Sequence, residues 1–259
     1  MRIALGLEYD GRPFCGWQYQ HHCRSVQQAV EDALSRVADA PVRVVCAGRT
    51  DTAVHALEQV VHFDTGARRE MHSWVFGANA NLPEAVSVLW AAEVPDDFHA
   101  RFSAERRRYR YVILNRRVRP AVLAGRVAWD YRPLDHERMR EAAAPLLGRH
   151  DFSSYRATQC QARSPVRTLH RLDVRRQGDL VFLDLEADGF LHHMVRNIAG
   201  VLMAIGAGER PVAWSAEVLA ARDRTLGGVT APAEGLYFTG VRYPERYRLP
   251  QVSPAGAVW

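Results

Sequence analysis

Residues 46–56 read CAGRTDTAVHA, a polar segment between two alternating, largely β-branched runs at 42–45 and 60–63. Such runs are typical of strands, so the segment is predicted to be a loop between two strands of a sheet. Within it, Arg49 supplies a planar cation, and Asp51 supplies a carboxylate whose ordinary pKa of about 3.9 keeps it ionised at neutral pH. A polar loop fixed by a sheet is a suitable place for chemistry, although Gly, Thr and Asp are also ordinary turn residues.

The first half of the chain is predicted to have the element order β-α-β-β-α-β. Residues 2–10 alternate between apolar and other side chains, as in a half-buried strand. The sequence SVQQ at 25–28 matches a capping box, and apolar residues then recur at helical spacing over 26–38. Beyond the two strands that flank the loop, we expect a short helix around 71–78 and a strand at 85–92.

The second half is predicted to repeat this order with insertions, although no residue-by-residue repeat is visible. Its first strand contains Tyr109 and Tyr111, which the alternation of a strand places side by side on one face. A helix is expected over 138–147, with Gly148 where a C-terminal cap would lie. A polar, loop-like segment follows at 151–164.

A hairpin, an apolar helix and a final strand complete the pattern. Strands are expected at 169–176 and 180–187, on either side of a Gln-Gly-Asp turn. The sequence FLHHMVRN at 190–197 opens an apolar helix with Arg196 in its first turns, and the final strand begins within GLYF at 235–238. We therefore predict an α+β fold of two similar halves, in which an antiparallel or mixed sheet is backed by helices.

Three segments are predicted along the chain. Residues 1–98 form an N-terminal half that carries the Asp51 loop. Residues 99–249 form a C-terminal half that carries the tyrosine strand and the Arg196 helix. The last residues, 250–259, lack periodicity and are interpreted as a tail that becomes ordered only against a partner.

Composition indicates an ordinary globular chain with a polyanionic partner. The chain has 259 residues and a net charge of +5, and every one of its 34 basic residues is arginine. Arginines cluster with aromatic residues at 106–111 and recur at 116–119, a pattern that suits phosphate pairing and base stacking, although charge runs are often only solvated faces. Neither a charged-then-apolar N-terminal segment nor an apolar run of about 18 residues is present, so secretion and membrane spanning are not expected and the cytoplasm is the default location.

The cysteine pattern favours reduced thiols and no metal site. None of the four cysteines belongs to a C-x-x-C pair. Two of them flank adjacent histidines, but their spacing matches no usual zinc pattern. The cysteines are Cys15, Cys23, Cys46 and Cys160.

An arginine at the start of an apolar helix requires a partner for its charge, and a carboxylate on a polar loop can provide it. We therefore predict that Asp51 pairs with Arg196, which would keep the carboxylate ionised and aimed. For Arg196 the alternative is a purely structural salt bridge. For His192 and His193 the favoured interpretation is packing and contacts at the helix end.

Four segments together resemble the successive motifs of the tRNA pseudouridine synthase A family, which modifies uridines 38 to 40 of the tRNA anticodon stem-loop. The resemblance extends from the first strand to about Leu249, so it covers nearly the whole chain. Four long motifs in the same order and spacing are far more specific than any one of them. The segments are GRTDTAVHA at 48–56, HARFSAERRRYRYVILN at 99–115, FLHHMVRNIAG at 190–200 and AEGLYF at 233–238.

The resemblance implies a role for five residues. Asp51 matches the essential aspartate of the family, and Arg49 matches the arginine that fills the space left by the flipped base. Tyr109 matches the tyrosine that stacks on the target ring. Arg196 matches the arginine paired with the aspartate, and Leu236 matches the apolar residue beside the target base.

The resemblance also implies a pseudouridine synthase fold, a homodimer whose basic clefts hold tRNA, and no redox or nucleotide cofactor. The chain departs from the family at Ala53, where the family usually has glycine two residues after the aspartate. If that position requires a positive φ, alanine there is strained by about 1 kcal/mol or more.

Conversion of uridine to pseudouridine breaks the N1 glycosidic bond and rejoins the base through C5, with no net change in composition. The Asp51 carboxylate could attack C1′ to form a glycosyl ester, or stabilise an oxocarbenium-like centre and remove the 2′ proton to give a glycal. Both routes remain open. Tyr109 would stack on the base, but a phenol with an ordinary pKa of about 10 is a poor base for the C5 proton.

Two other classes of function compete with this interpretation. A non-catalytic RNA-binding protein needs only basic and aromatic strands and would not require Asp51. A metal-dependent hydrolase would use Asp51 with His55, His192 and His193, and metal analysis of the purified protein distinguishes it.

Overall fold

The computed structural model describes residues 1–250. The predicted tail, 250–259, lies outside the described residues except for Pro250. In the described range, strands form a mixed sheet accompanied by helices, as the α+β prediction requires, and none of the helices there has the length and apolar character needed to cross a membrane. In chain order the elements are β1 (Arg2–Tyr9), α1 (Val26–Ala38), β2 (Val45–Cys46), β3 (His55–Asp64), α2 (Met71–Asn81), β4 (Val86–Val94), β5 (Arg106–Asn115), β6 (Ala128–Asp130), α3 (His136–Ala143), β7 (Gly148–Asp151), β8 (Val166–Gln177), β9 (Leu180–Ala187), α4 (Met194–Gly206), α5 (Trp214–Ala221) and β10 (Leu236–Arg242).

Contacts between residues divide the chain into two units. The first contains residues 1–105 together with residues 237–250, and the second contains residues 106–236. The predicted segments, 1–98 and 99–249, differ from these units mainly in the last strand, which the contacts place with the first unit.

The sheet of the first unit contains both strands that flank the polar loop. Its order is β4-β1-β3-β10. β1 is antiparallel to both β3 and β4, while β10 runs parallel to β3 with Tyr237 opposite His55. β2 pairs antiparallel with β3, placing Cys46 opposite Val61. The loop therefore leaves one sheet strand and enters the next.

Helix α1 begins where the capping pattern predicts. The Ser25 hydroxyl accepts the N–H of Gln28 at 3.2 Å, which satisfies one of the donors that a helix start leaves open. Val30 and Leu34 on the apolar face are buried. The predicted order β-α-β-β-α-β of the first half is confirmed.

The second unit is a largely antiparallel sheet with three α-helices. Its order is β5-β9-β8-β7, and β6 lies parallel to β5. The predicted hairpin is confirmed, with Val174 of β8 opposite Leu183 of β9. Tyr109 lies opposite Leu185 and Tyr111 opposite Leu183, so the two tyrosines share one face of β5, as predicted.

Local details of the second unit differ from the prediction. Strands β6 and β7 were not predicted, because runs of three or four residues are too short to show alternation. The helix predicted over 138–147 runs from His136 to Ala143 and is followed by one 3₁₀ turn. Pro145 accounts for the early end, because proline has no N–H to donate and its ring clashes with the preceding turn. Gly148 begins β7 and does not cap the helix.

The prediction of reduced thiols is wrong for two of the four cysteines. Cys15 and Cys23 form a disulfide, with Cα atoms 6.2 Å apart. The N–H of Cys15 donates to the carbonyl of Arg24 at 3.0 Å, so the chain folds back on itself across this segment. Spacing alone did not reveal this fold-back. Cys46 and Cys160 carry thiols.

A buried histidine makes the stability of the first unit depend on pH. His62 on β3 is 4% exposed, and its Nδ1 accepts the N–H of Ala100 at 3.1 Å. Burial disfavours the imidazolium, and the charges of His99 and Arg2 add to the effect, so the pKa of His62 is lowered to about 4. An unfolded histidine takes up its proton near pH 6.5, so the unfolded chain binds more protons between pH 6.5 and pH 4.

Stability is therefore expected to fall as the pH falls through that window. Between pH 7 and pH 5, His62 should remove about 2 kcal/mol from the free energy of unfolding, measured by urea denaturation. In His62→Asn, whose side chain keeps an acceptor but does not titrate, this part of the loss should disappear. Identical pH dependence in the two proteins would contradict the assignment to His62.

Candidate active site

The predicted loop corresponds to residues 47–54, between β2 and β3. The N–H of Ala47 donates to the carbonyl of Val60 at 2.8 Å, which continues the pairing of β2 by one residue. At the other end, the N–H of Val54 donates to the carbonyl of Asp51 at 3.1 Å and closes a turn. The Asp51 side chain is half-buried. The loop thus holds its carboxylate on a short, hydrogen-bonded segment of a sheet.

Two glycines in the segment after β1 approach the loop so closely that no side chain would fit. A Cβ on Gly11 would lie 2.1 Å from the carbonyl oxygen of Val54. Gly16 has a φ of +92°, and a Cβ there would lie 2.8 Å from the carbonyl oxygen of Thr50. The neighbouring N–H of Trp17 donates to that same oxygen at 2.9 Å. The segment after β1 therefore supports the loop along its backbone.

Ala53, which stands where the family motif usually has glycine, adopts a positive φ. Its φ is +64°, in the left-handed region that favours glycine. The chain thus keeps a strained alanine two residues from Asp51.

Replacing Ala53 by glycine is expected to raise the free energy of unfolding by about 0.5–1 kcal/mol. Relief of the left-handed strain contributes about 1–2 kcal/mol, and the greater freedom of glycine in the unfolded chain offsets part of it. Ala124→Gly is the matched control, because Ala124 is not among the residues with positive φ. Urea denaturation should show the opposite sign for the control, and destabilisation by both substitutions would contradict the strain.

In the second unit, Tyr109 lies on β5 and is 9% exposed. Its ring meets Phe190 edge to face, with 5.0 Å between ring centroids. Such contacts fix the plane of a ring as well as its position. A tyrosine held in this way is suited to present a flat face to another ring.

Arg196 is the third residue of α4, in the first turn, as predicted. Its Nε donates to the carbonyl of Ala231 at 2.8 Å, and the N–H of Ala231 donates to the carbonyl of Arg196 at 3.1 Å. The hydroxyl of Tyr111 donates to the next carbonyl, that of Pro232, at 2.8 Å. Burial raises the pKa of Tyr111, which keeps this hydroxyl a donor. Leu236, the buried first residue of β10, follows within a few residues.

The five predicted site residues are thus distributed over the two units. Arg49, which is exposed, and Asp51 share the loop of the first unit. Tyr109, Arg196 and Leu236 belong to the second unit, where Arg196 and Tyr111 hold the segment that leads to Leu236. The pairing of Asp51 with Arg196 stays a prediction from the sequence.

The two arginine clusters have different surroundings. In the first, Arg106 lies 2.6 Å from a carboxylate oxygen of Glu186, and Arg110 lies 2.7 Å from one of Asp184. Both partners lie on β9, so these two arginines form ion pairs between neighbouring strands of the sheet. The second cluster, 116–119, is exposed and is the better candidate for contact with a polyanion.

Two buried polar side chains beside the loop, Tyr9 and Gln59, were not identified from the sequence. Gln59 is fully buried on β3, between Glu58 and the apolar pair Val60 and Val61. A buried polar group requires a hydrogen-bond partner, so an amide beside buried apolar residues of a strand is itself a signal. Which partner it has depends on the register of distant strands.

Comparison with known proteins identifies relatives along nearly the whole chain. A family model described as tRNA pseudouridine synthase matches residues 7–103 and 142–244. A protein of Methylococcus capsulatus named tRNA pseudouridine synthase A is 61% identical over 249 residues, which are 96% of this chain and 92% of the relative. A protein of the same name from Nitrosococcus oceani is 59% identical over the full length of both chains. One from Pseudomonas aeruginosa is 60% identical over 96% of this chain and 88% of its own.

Proposed function

Since the chain belongs to the tRNA pseudouridine synthase family, we propose that it isomerises uridine to pseudouridine at positions 38, 39 or 40 of the tRNA anticodon stem-loop. The observation that carries the proposal is the half-buried carboxylate of Asp51 on a loop that is bonded to β3 at Ala47 and closed by a turn at Val54. Isomerisation requires a fixed anion beside the sugar and no net redox change.

Asp51 acts on the glycosidic bond of the target uridine. In one route its carboxylate attacks C1′ while the bond to N1 breaks, which gives a glycosyl ester; C5 of the turned base then attacks C1′ and displaces the carboxylate. In the other route it stabilises the oxocarbenium-like centre and removes the 2′ proton, which gives a glycal; C5 then bonds to C1′ as the 2′ proton returns. In both routes C5 finally loses its proton and N1 gains one. Both routes require an ionised oxygen next to C1′ and a loop that does not move when the charge changes.

Arg49 extracts the target base. An enzyme reaches a base in a stem or stacked loop by flipping it out, at a cost of a few kcal/mol of lost stacking. Arg49 is exposed on the same loop as Asp51, so its guanidinium can enter the space that the base leaves. Extraction and chemistry thereby share one rigid element.

The residues of the second unit hold the flipped base and the carboxylate. Tyr109 stacks on the uracil ring, and its contact with Phe190 keeps its own ring in place. Leu236 packs against the base. Arg196 neutralises Asp51 in the protein before tRNA binds and orients the carboxylate.

The partners follow from the same proposal. The tRNA anticodon arm is the substrate, and the exposed arginines at 116–119 supply charge for its phosphates. The protein acts in the cytoplasm as a homodimer.

The experiment incubates the purified protein with an unmodified tRNA transcript that has uridines at positions 38 to 40, and then maps pseudouridine by chemical labelling and primer extension. Pseudouridine is expected at one or more of those positions. A transcript with cytidines there is the matched control and should gain none. Product confined to other positions, or tight binding without product, would refute the proposal.

A further inference from the structure

We infer that Tyr9 and Gln59 form, with Thr50, a buried polar clamp that positions the Asp51 loop for catalysis. The inference rests on the proposed role of Asp51. Neither Tyr9 nor Gln59 is assigned to contact tRNA, so both are positioning residues. The clamp is defined by the side chains of Tyr9, Thr50 and Gln59.

Gln59 holds the residue directly before Arg49. Its Nε2 donates to the carbonyl of Gly48 at 2.6 Å, and its Oε1 accepts the N–H of Gly48 at 3.3 Å. One amide thus satisfies both polar groups of one peptide residue, in the way that a neighbouring strand would. Gln59 is 0% exposed, so loss of these bonds would leave buried groups without partners.

Tyr9 holds the residue directly before Asp51. Its hydroxyl lies 2.8 Å from the Thr50 Oγ1 and accepts from the Gln59 Nε2 at 3.4 Å. Because Gln59 donates to the Tyr9 oxygen, the tyrosine proton is available for Thr50. Burial raises the pKa of Tyr9, which keeps the phenol protonated and able to donate.

The clamp acts on both sides of Arg49 and immediately before Asp51. Residues 48 and 50 are held by side chains from β3 and β1, and the N–H of Trp17 binds the Thr50 carbonyl from a third direction. A displacement of about 1 Å of a catalytic group can cost about 10²-fold in rate. We therefore expect loss of the clamp to lower kcat while substrate binding, which uses other surfaces, is kept.

The experiment compares Tyr9→Phe, Thr50→Val and the double variant, each of which removes hydroxyl groups with little change in shape. Single-turnover pseudouridine formation gives the rate of chemistry, and filter binding gives the Kd for tRNA. Each single variant should lower the rate about 10-fold with the Kd within about twofold. The double variant should be no slower than Tyr9→Phe alone, because the bond that Thr50→Val removes is already absent from that variant. Thr50→Ser, which keeps the hydroxyl, should restore most of the rate.

Tyr243→Phe is the matched control, because the Tyr243 hydroxyl donates to the carbonyl of Ala100 at 2.6 Å in the same unit, away from the clamp. This variant should have a lower free energy of unfolding but the wild-type rate of pseudouridine formation. Rates within twofold of wild type for both Tyr9→Phe and Thr50→Val, or losses that multiply in the double variant, would overturn the inference. If Tyr9→Phe does not fold, Gln59→Met tests the clamp in its place, and we expect its rate to be lower than that of Tyr9→Phe or Thr50→Val. Asp51→Asn measured alongside separates the two failures: an active Asp51→Asn refutes the proposed role of Asp51, whereas an inactive one beside fully active clamp variants refutes only the clamp.

Discussion

Replacing Asp51 by asparagine is expected to lower the rate of pseudouridine formation by at least about 10³-fold while the affinity for tRNA stays within about twofold. Asparagine keeps the shape of aspartate but carries no charge, so it neither attacks C1′ nor stabilises a positive sugar. Bonds from Gln59 and Tyr9 hold the loop at its neighbouring residues, and these bonds remain in the variant. The loss therefore falls on chemistry and not on the fold.

The matched control is Asp32→Asn on the exposed side of α1, which removes the same charge from the same unit. It should keep the wild-type rate. Rates are compared at saturating tRNA, with a thermal melt of each protein to verify folding. An Asp51→Asn protein that keeps more than about a tenth of the wild-type rate would exclude the carboxylate from the reaction, because catalytic groups of this kind contribute far more.

Replacing Arg196 by lysine is expected to lower the rate by about 10²-fold, the second-largest effect. The guanidinium donates from Nε to the carbonyl of Ala231 at 2.8 Å and still has two nitrogens to direct elsewhere. A lysine ammonium concentrates its charge on one nitrogen, so it does not replace both the bond to the Ala231 carbonyl and the predicted pairing with Asp51. If Arg196 acts through Asp51, a variant that combines Arg196→Met with Asp51→Asn should be no slower than Asp51→Asn alone.

Arg140→Lys is the matched control for Arg196. The Arg140 Nε also donates to a main-chain carbonyl, that of Val174, at 3.2 Å in the same unit. Its replacement should leave the rate unchanged. Equal losses in the two lysine variants would assign Arg196 a structural role only, and a multiplicative loss in the double variant would contradict the predicted pair with Asp51.

The parts of the fold that could be predicted depend on signals that are local in the chain. The capping pattern at Ser25 and the helical spacing after it locate α1 to the residue. Alternation along β5 is enough to place Tyr109 and Tyr111 on one face, because every second side chain of a strand points the same way. Pro145 shows the limit of local patterns, because apolar spacing continues past a residue that ends the helix.

The support of the loop could not be predicted, because it comes from pairing between distant strands. The register of β1 on β3 places Leu7 opposite Gln59 and then shifts before Tyr9. Only this register brings the Tyr9 hydroxyl to the Gln59 amide, and no pattern within either strand specifies it. Gly16 is similar, since the backbone that leaves no room for a side chain there is that of Thr50, far along the chain. The residues proposed to do chemistry were recognisable by motif, while those proposed to position them depended on tertiary contacts.

If the Asp51 carboxylate meets C1′ of a flipped uridine, a structure of the Asp51→Asn protein bound to unmodified tRNA will show the two side by side. The substitution prevents turnover, so the target uridine should remain intact in the complex. We expect uridine 38, 39 or 40 to be turned out of the anticodon arm, with its C1′ about 3–3.5 Å from the side chain of residue 51. A bound tRNA whose target C1′ lies beside a different carboxylate, with residue 51 out of contact, would contradict the account.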